Sequence, residues 1–187
     1  MNVYDFDGTI YRGDSSWDFC LFCMKRDPSL FRYLPTILRG AFRYLTKKIS
    51  KTVFKEHNFA FLQGVSDVDR AVADFWKTHR RKLYPWYPAQ KQPSDVIISA
   101  SPDFLLAPVC ESLGVTLIAS PVDKKSGRFH GENCHDEEKV RRFRAACPDA
   151  AVDAFYSDSL SDLPMARLAK RAYFIRRGTP SPWQIPT

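Results

Sequence analysis

Short apolar runs alternate with stretches of helical period along this 187-residue chain. Residues 3–6, 96–99, 115–120, 152–157 and 173–175 are apolar, rich in β-branched or aromatic side chains, and bounded by turn formers, so they read as buried strands. Residues 102–113, 137–146 and 163–169 carry apolar positions at helical spacing. Strand–helix alternation of this kind predicts an α/β fold, a doubly wound parallel sheet covered by helices on both faces. About eighty residues separate the first strand from the second, and nearly all read as helix, over 16–24, 30–45, 51–62 and 66–81. The chain thus divides into a core, residues 1–11 and 92–187, and an inserted helical domain, residues 12–91. A small hairpin is expected over 127–132, turning at Lys125-Ser126-Gly127. The Pro-rich end, 178–187, reads as an extended tail with Trp183 packed against the body.

Composition adds bounds. With 44% hydrophobic and 14% aromatic residues, the chain has enough apolar matter for a substantial core. No run approaches the ~20 apolar residues that span a bilayer. The first strand begins almost at Met1, which leaves no room for a signal peptide and points to the cytoplasm. Five cysteines, an odd number, argue against a disulfide framework there. Cys20 and Cys23 form a C-x-x-C among Phe and Leu with no second pair at zinc spacing, so they read as buried helix positions rather than ligands.

The net charge of +7 is uneven. Residues 12–91 hold 16 Lys and Arg against 7 Asp and Glu, while the remainder hold 12 against 14. The insertion is basic and the core nearly neutral, as if the two faced different tasks.

In open parallel sheets, ligands bind at the carboxyl ends of the strands. There the first strand ends in Asp5-Phe6-Asp7-Gly8, two carboxylates one residue apart. Side chains alternate along a strand, so Asp5 and Asp7 share a side. Like charges so close raise each other's proton affinity unless a cation intervenes or one works protonated. The second strand ends in Ser99, the fourth in Asp158 with Asp162 four residues on, and Lys139 stands near a helix start. Three strand-end carboxylate positions, a hydroxyl and an ammonium at one sheet edge describe a magnesium-and-phosphate site.

The phrases "DFDGTI", "IISAS", "GENCHDEEK" and "YSDSLSD" resemble, in order, the four signature motifs of the haloacid-dehalogenase-like (HAD) superfamily, and most resemble its phosphoserine-phosphatase-like branch. The likeness spans essentially the whole chain. It implies a Rossmann-like core with the insertion as a cap, and a Mg²⁺-dependent phosphomonoester phosphatase. Asp5 would be the nucleophile that forms an aspartyl-phosphate, and Asp7 the acid for the leaving alcohol, then the base for water. Mg²⁺ would be held by Asp5, the backbone carbonyl of Asp7 and Asp158, with Asp162 supporting that shell. Ser99 and Lys139 would bind the phosphoryl group. Gly8 would let the backbone approach the phosphate, and its N–H would donate there with that of Thr9.

Competing assignments exist for several of these residues. Ser101, before Pro102-Asp103, fits a helix N-cap, which leaves the phosphate to Ser99. Asp162 precedes Leu163-Pro164 and could cap a helix. His135 reads as a loop residue. The substrate implied is a small phosphorylated metabolite, yet no serine-binding contacts of true phosphoserine phosphatases are legible. Some relatives process a lipid headgroup such as phosphatidylglycerophosphate, a second reading of the activity. Arg32, Arg39 and Arg43 lie opposite an apolar surface of Leu34, Ile37, Leu38, Ala41 and Leu45. That pattern suits a bundle helix with solvated arginines, or peripheral contact with anionic lipid. The cluster from His79 to Tyr87 mixes charge with aromatics, but nucleic acid is the weaker reading of it. A non-catalytic anion- or membrane-binding protein is opposed by the intact set Asp5, Asp7, Ser99, Lys139 and Asp158.

Overall fold

The computed structural model describes residues 1–185. Six strands form one sheet in the order β3-β2-β1-β4-β5-β6. They are β1 (Asn2–Tyr4), β2 (Val96–Pro102), β3 (Thr116–Ser120), β4 (Val152–Ser157), β5 (Ala169–Arg176) and β6 (Thr179–Pro182). The first five run parallel, and β6 turns back antiparallel on β5. Strand β1 lies between β2 and β4, where the winding reverses and a crevice opens beyond the strand ends. The doubly wound sheet is therefore as expected, with one addition: the extended tail pairs with β5 as β6. Trp183 meets Phe174 edge-on at 5.0 Å, while the tail's last two positions, 186–187, lie outside the described residues.

The insertion contains α1 (Ser15–Arg26), α2 (Leu34–Leu45), α3 (Lys51–Asn58), α4 (Val68–His79) and short α5 (Trp86–Gln90). The single helix expected over 30–45 is divided. Asp27 accepts from the Ser29 N–H and opens a 3-10 turn, Pro28–Tyr33. Pro35 lacks an N–H and its ring would press on the carbonyl four residues back, so the α-helix restarts at Leu34 with Pro35 in its first turn. The helix expected over 51–62 ends at Asn58 and tightens into a 3-10 turn, Phe59–Gly64. That over 66–81 starts two residues late because Asp67 caps it through the Arg70 N–H. In the core, α6 (Asp103–Leu113), α7 (Glu137–Ala146) and α8 (Leu163–Leu168) occupy their expected places. The hairpin is displaced: Val122 bridges Phe129 around a turn at Asp123–Gly127, and 127–132 does not pair with itself.

Two apolar clusters flank the sheet. One, around Val3, Ile98, Phe143, Phe155 and Met165, lies under α7 and α8. The other runs without a break from Tyr4, Phe6 and Ile97 through α6 into Phe19, Phe61, Phe75 and Trp76 of the insertion. Trp76 Nε1 also donates to the Leu105 carbonyl at 2.7 Å. Cys20 and Cys23 sit in this second cluster, where burial pushes both thiols up to about 12 and keeps them protonated. No helix among the described residues is long and apolar enough to cross a membrane.

Candidate active site

A cavity of about 400 Å³ opens at the carboxyl ends of β1, β2 and β4. Asp5, Asp7, Gly8, Ser99, Lys139, Asp158 and Asp162 all line it, although the sequence spreads them over 158 positions.

Past β1, the chain folds into a tight turn. Gly8, at φ +72°, donates its N–H to the carbonyls of Tyr11 and Gly13, both at 2.9 Å, and Thr9 donates to Phe6 at 3.3 Å. Both N–H groups are thus spent inside the turn and do not face the cavity as phosphate donors, contrary to the sequence expectation. The N–H groups of Phe6 and Asp7 donate to no protein group among the described residues. The glycine has another cause. A Cβ at position 8 would run into the carboxylate of Asp158, so its absence lets Asp158 descend onto the turn. Thr9 then ties the two strands together: its hydroxyl accepts the Asp158 N–H at 3.0 Å and lies 3.4 Å from Asp5 Oδ2 and 3.5 Å from Asp158 Oδ1.

Lys139, in the first turn of α7 and only 2% exposed, reaches Asp5 Oδ1 at 2.6 Å and Asp162 Oδ2 at 2.8 Å. Asp162 is further held by the Ser157 hydroxyl at 2.6 Å, and its side chain does not cap α8. Burial pushes the Asp5 carboxyl up, to about 7, against the pull of Lys139. Burial alone would depress Lys139, but Asp5 and Asp162 outweigh it and raise the lysine. The ammonium is therefore charged throughout the neutral range.

Asp7 is held differently. Its Oδ1 accepts the Ser15 N–H at 2.6 Å, at the start of α1, and its Oδ2 accepts from the Ser101 hydroxyl. Ser101 in turn contacts Ser16 Oγ at 2.9 Å. It is no helix cap: α6 has Pro102 at that position and no side-chain cap bond. Burial and then Asp14 push the Asp7 carboxyl up to about 6, while the hydrogen bonds from Ser101 and Ser15 hold it down. Ser99 Oγ accepts the Ser101 N–H at 3.1 Å. These serines occupy the irregularity in β2, where its register with β3 shifts between Ile98 and Pro102, a device that re-aims side chains at a strand end.

Sequence reasoning missed two contributors. Lys55, on α3 of the insertion, enters the cavity and donates to the Ala100 carbonyl at 2.6 Å. Burial pulls its ammonium down to about 8, against Asp14 and Asp7. His135, read as a loop residue, lines the same cavity with its Nδ1 buried and without a partner among the described residues.

The donor set fits a hard divalent cation. Asp5 and Asp162 share the Lys139 ammonium, and Asp158 stands beside them with its carboxyl pushed up by burial. Among the described residues no three His, Cys, Asp or Glu side chains form a metal cage by themselves. Magnesium needs none, because it keeps several waters and binds through one or two carboxylates plus substrate oxygens.

Fold and crevice together define an α/β protein with a site of carboxylates and lysines at the switch point of a mostly parallel sheet. The haloacid dehalogenase-like hydrolase family matches residues 3–167, and the chain belongs to that family. It is 28% identical to Protein CicA of Caulobacter vibrioides over 208 aligned positions, 96% of this chain and 87% of that one. Its fold is similar to that of a protein of unknown function from Bordetella pertussis Tohama I, with TM-score 0.71 and 23% identity over 92% of this chain and 87% of the other. It is also similar to a probable phosphoserine phosphatase from Vibrio cholerae, with TM-score 0.68 and 13% identity over 91% of this chain and 55% of that one.

Proposed function

We propose that the protein hydrolyses small phosphate monoesters through a phosphoryl group carried on Asp5. The observation that carries this is the division of labour between the two carboxylates. Asp5 lines the cavity with one oxygen on Lys139 and the other only at 3.4 Å from the Thr9 hydroxyl, whereas both oxygens of Asp7 are held closely by Ser15 and Ser101. One is positioned to attack, the other to exchange a proton.

In the first step an Asp5 oxygen bonds to phosphorus as the ester P–O bond breaks, and protonated Asp7 gives its proton to the departing alkoxide. In the second, Asp7, now a carboxylate, takes a proton from water while the water oxygen bonds to phosphorus. The bond between Asp5 and phosphorus breaks, releasing inorganic phosphate and restoring both acids. Ser99 and Lys139 bind phosphoryl oxygens and offset their charge. Mg²⁺, held by Asp5, the Asp7 carbonyl and Asp158, would supply further charge neutralisation for the phosphoryl group. Asp162 fixes Lys139 and would support the residues that hold the ion. Lys55, brought by the insertion, adds a cation above the phosphate and favours an anionic substrate.

The test is phosphate release from a generic aryl phosphate with Mg²⁺ and with EDTA, for wild type and Asp5→Asn. Release that needs the metal and vanishes in the variant supports the reading. Release undiminished in Asp5→Asn refutes it.

A further inference from the structure

One face of the insertion is uncovered among the described residues. On α2, Leu38, Phe42 and Leu45 are 60%, 64% and 80% exposed, and Phe31 just before the helix is 51% exposed. Positions i, i+4 and i+7 fall on one stripe of a helix. The opposite face is already used. Ile37 is buried, Tyr44 stacks on Phe54 at 4.8 Å, and a Cβ on Gly40 would collide with His57 of α3. The apolar surface read from the sequence thus splits: Ile37 turns inward, whereas Leu38 and Leu45 turn out with Phe42. A contiguous apolar stripe left in water marks a surface that meets something.

Charge says what it meets. Residues 28–55 contain seven Lys and Arg and no Asp or Glu. Arg39, Lys47 and Lys48 are exposed on this helix and just past its end, next to Leu38 and shortly after Leu45 in the chain. A second copy docking through the same patch would face these cations with themselves. An anionic bilayer uses both features at once, apolar side chains at the acyl boundary and cations on the phosphates.

We propose that α2 docks on the surface of an anionic lipid bilayer. Leu38, Phe42 and Leu45 enter the headgroup region, while Arg39, Arg43, Lys47 and Lys48 engage lipid phosphates. Helix α3, packed behind α2, carries Lys51 and Lys55 to the catalytic cavity, so the docked bilayer lies one helix away from the site. This inference stands on the surface alone and does not depend on the reaction.

The experiment is sedimentation of the full chain with vesicles of phosphatidylcholine, alone or mixed with phosphatidylglycerol, at low and raised salt. Binding is expected only to the anionic vesicles, and it fades as salt rises. The pairs Phe42→Ser/Leu45→Ser and Arg39→Gln/Lys48→Gln alter exposed positions, so thermal unfolding should stay near wild type. Each pair should weaken vesicle binding about tenfold or more. Absence of wild-type binding, or equal binding by both variants, overturns the proposal. So does a concentration-dependent dimer that Phe42→Ser/Leu45→Ser abolishes while no vesicle binding occurs, since that assigns the face to a second copy.

Discussion

Lys139 places its ammonium 2.6 Å from Asp5 Oδ1, and the lysine is only 2% exposed. The second carboxylate on that ammonium, Asp162, is equally buried. Removing one partner of such a pair strands the others' charge in a low-dielectric interior, which costs about 3–5 kcal/mol. Lys139→Met is therefore expected to lower stability on that scale in urea unfolding and to abolish turnover. A variant as stable as wild type would mean that the triad is not formed as described.

Gly8 tests a different relationship. Its φ of +72° and the Asp158 carboxylate above it both exclude a side chain. Gly8→Ala should displace Asp158 and raise the Mg²⁺ concentration needed for half-maximal activity, at a backbone cost of about 1–2 kcal/mol. A magnesium titration of activity checks this. An unchanged midpoint would remove Asp158 from the ion's surroundings.

Ser101 distinguishes a cap from a catalytic support. Its hydrogen bond favours the carboxylate form of Asp7 and so lowers that group's pKa. Ser101→Ala should shift the Asp7 limb of the pH–rate profile to higher pH. A helix cap would change stability and leave that limb in place.

Lys55 gives a pH dependence with a definite sign. Its folded pKa, about 8, lies below the unfolded 10.5. The native state therefore loses this proton first, and the group's contribution to stability rises with pH from about 8 to 10.5. For catalysis the sign is opposite. As pH passes about 8 the cavity loses a cation, so kcat/KM for an anionic ester should fall. Lys55→Met should lower kcat/KM at pH 7 and erase that alkaline limb.

What the sequence disclosed follows from locality. Asp5, Asp7, Asp158 and Asp162 follow a strand and Lys139 opens a helix, so the order of elements alone brings them to one edge, while Ser99 lies within β2 at its register shift. Apolar periodicity gave the helices of the insertion but not their breaks, which Pro35 and Asp67 impose through single hydrogen-bonding positions. Contacts between distant elements were invisible. Lys55 meets Ala100 across 45 positions, and nothing near Lys55 distinguishes it from its basic neighbours. Ser101 looked like a cap because Pro102 follows it. The irregular register of β2 turned it instead toward Asp7, 94 positions away. Gly8 was legible as a turn glycine, while its reason, the carboxylate of Asp158, was not.

The central claim is that Asp5 carries the phosphoryl group while Asp7 governs its release. Asp7→Asn should slow turnover about 10²–10⁴-fold and let the intermediate accumulate. The direct measurement is the intact mass of Asp7→Asn after brief mixing with an aryl phosphate and Mg²⁺, followed by acid quench. One added phosphoryl group, removed by hydroxylamine and mapped by peptide sequencing to Asp5, is the predicted result. No adduct during measurable turnover, or an adduct on another residue, would contradict the account.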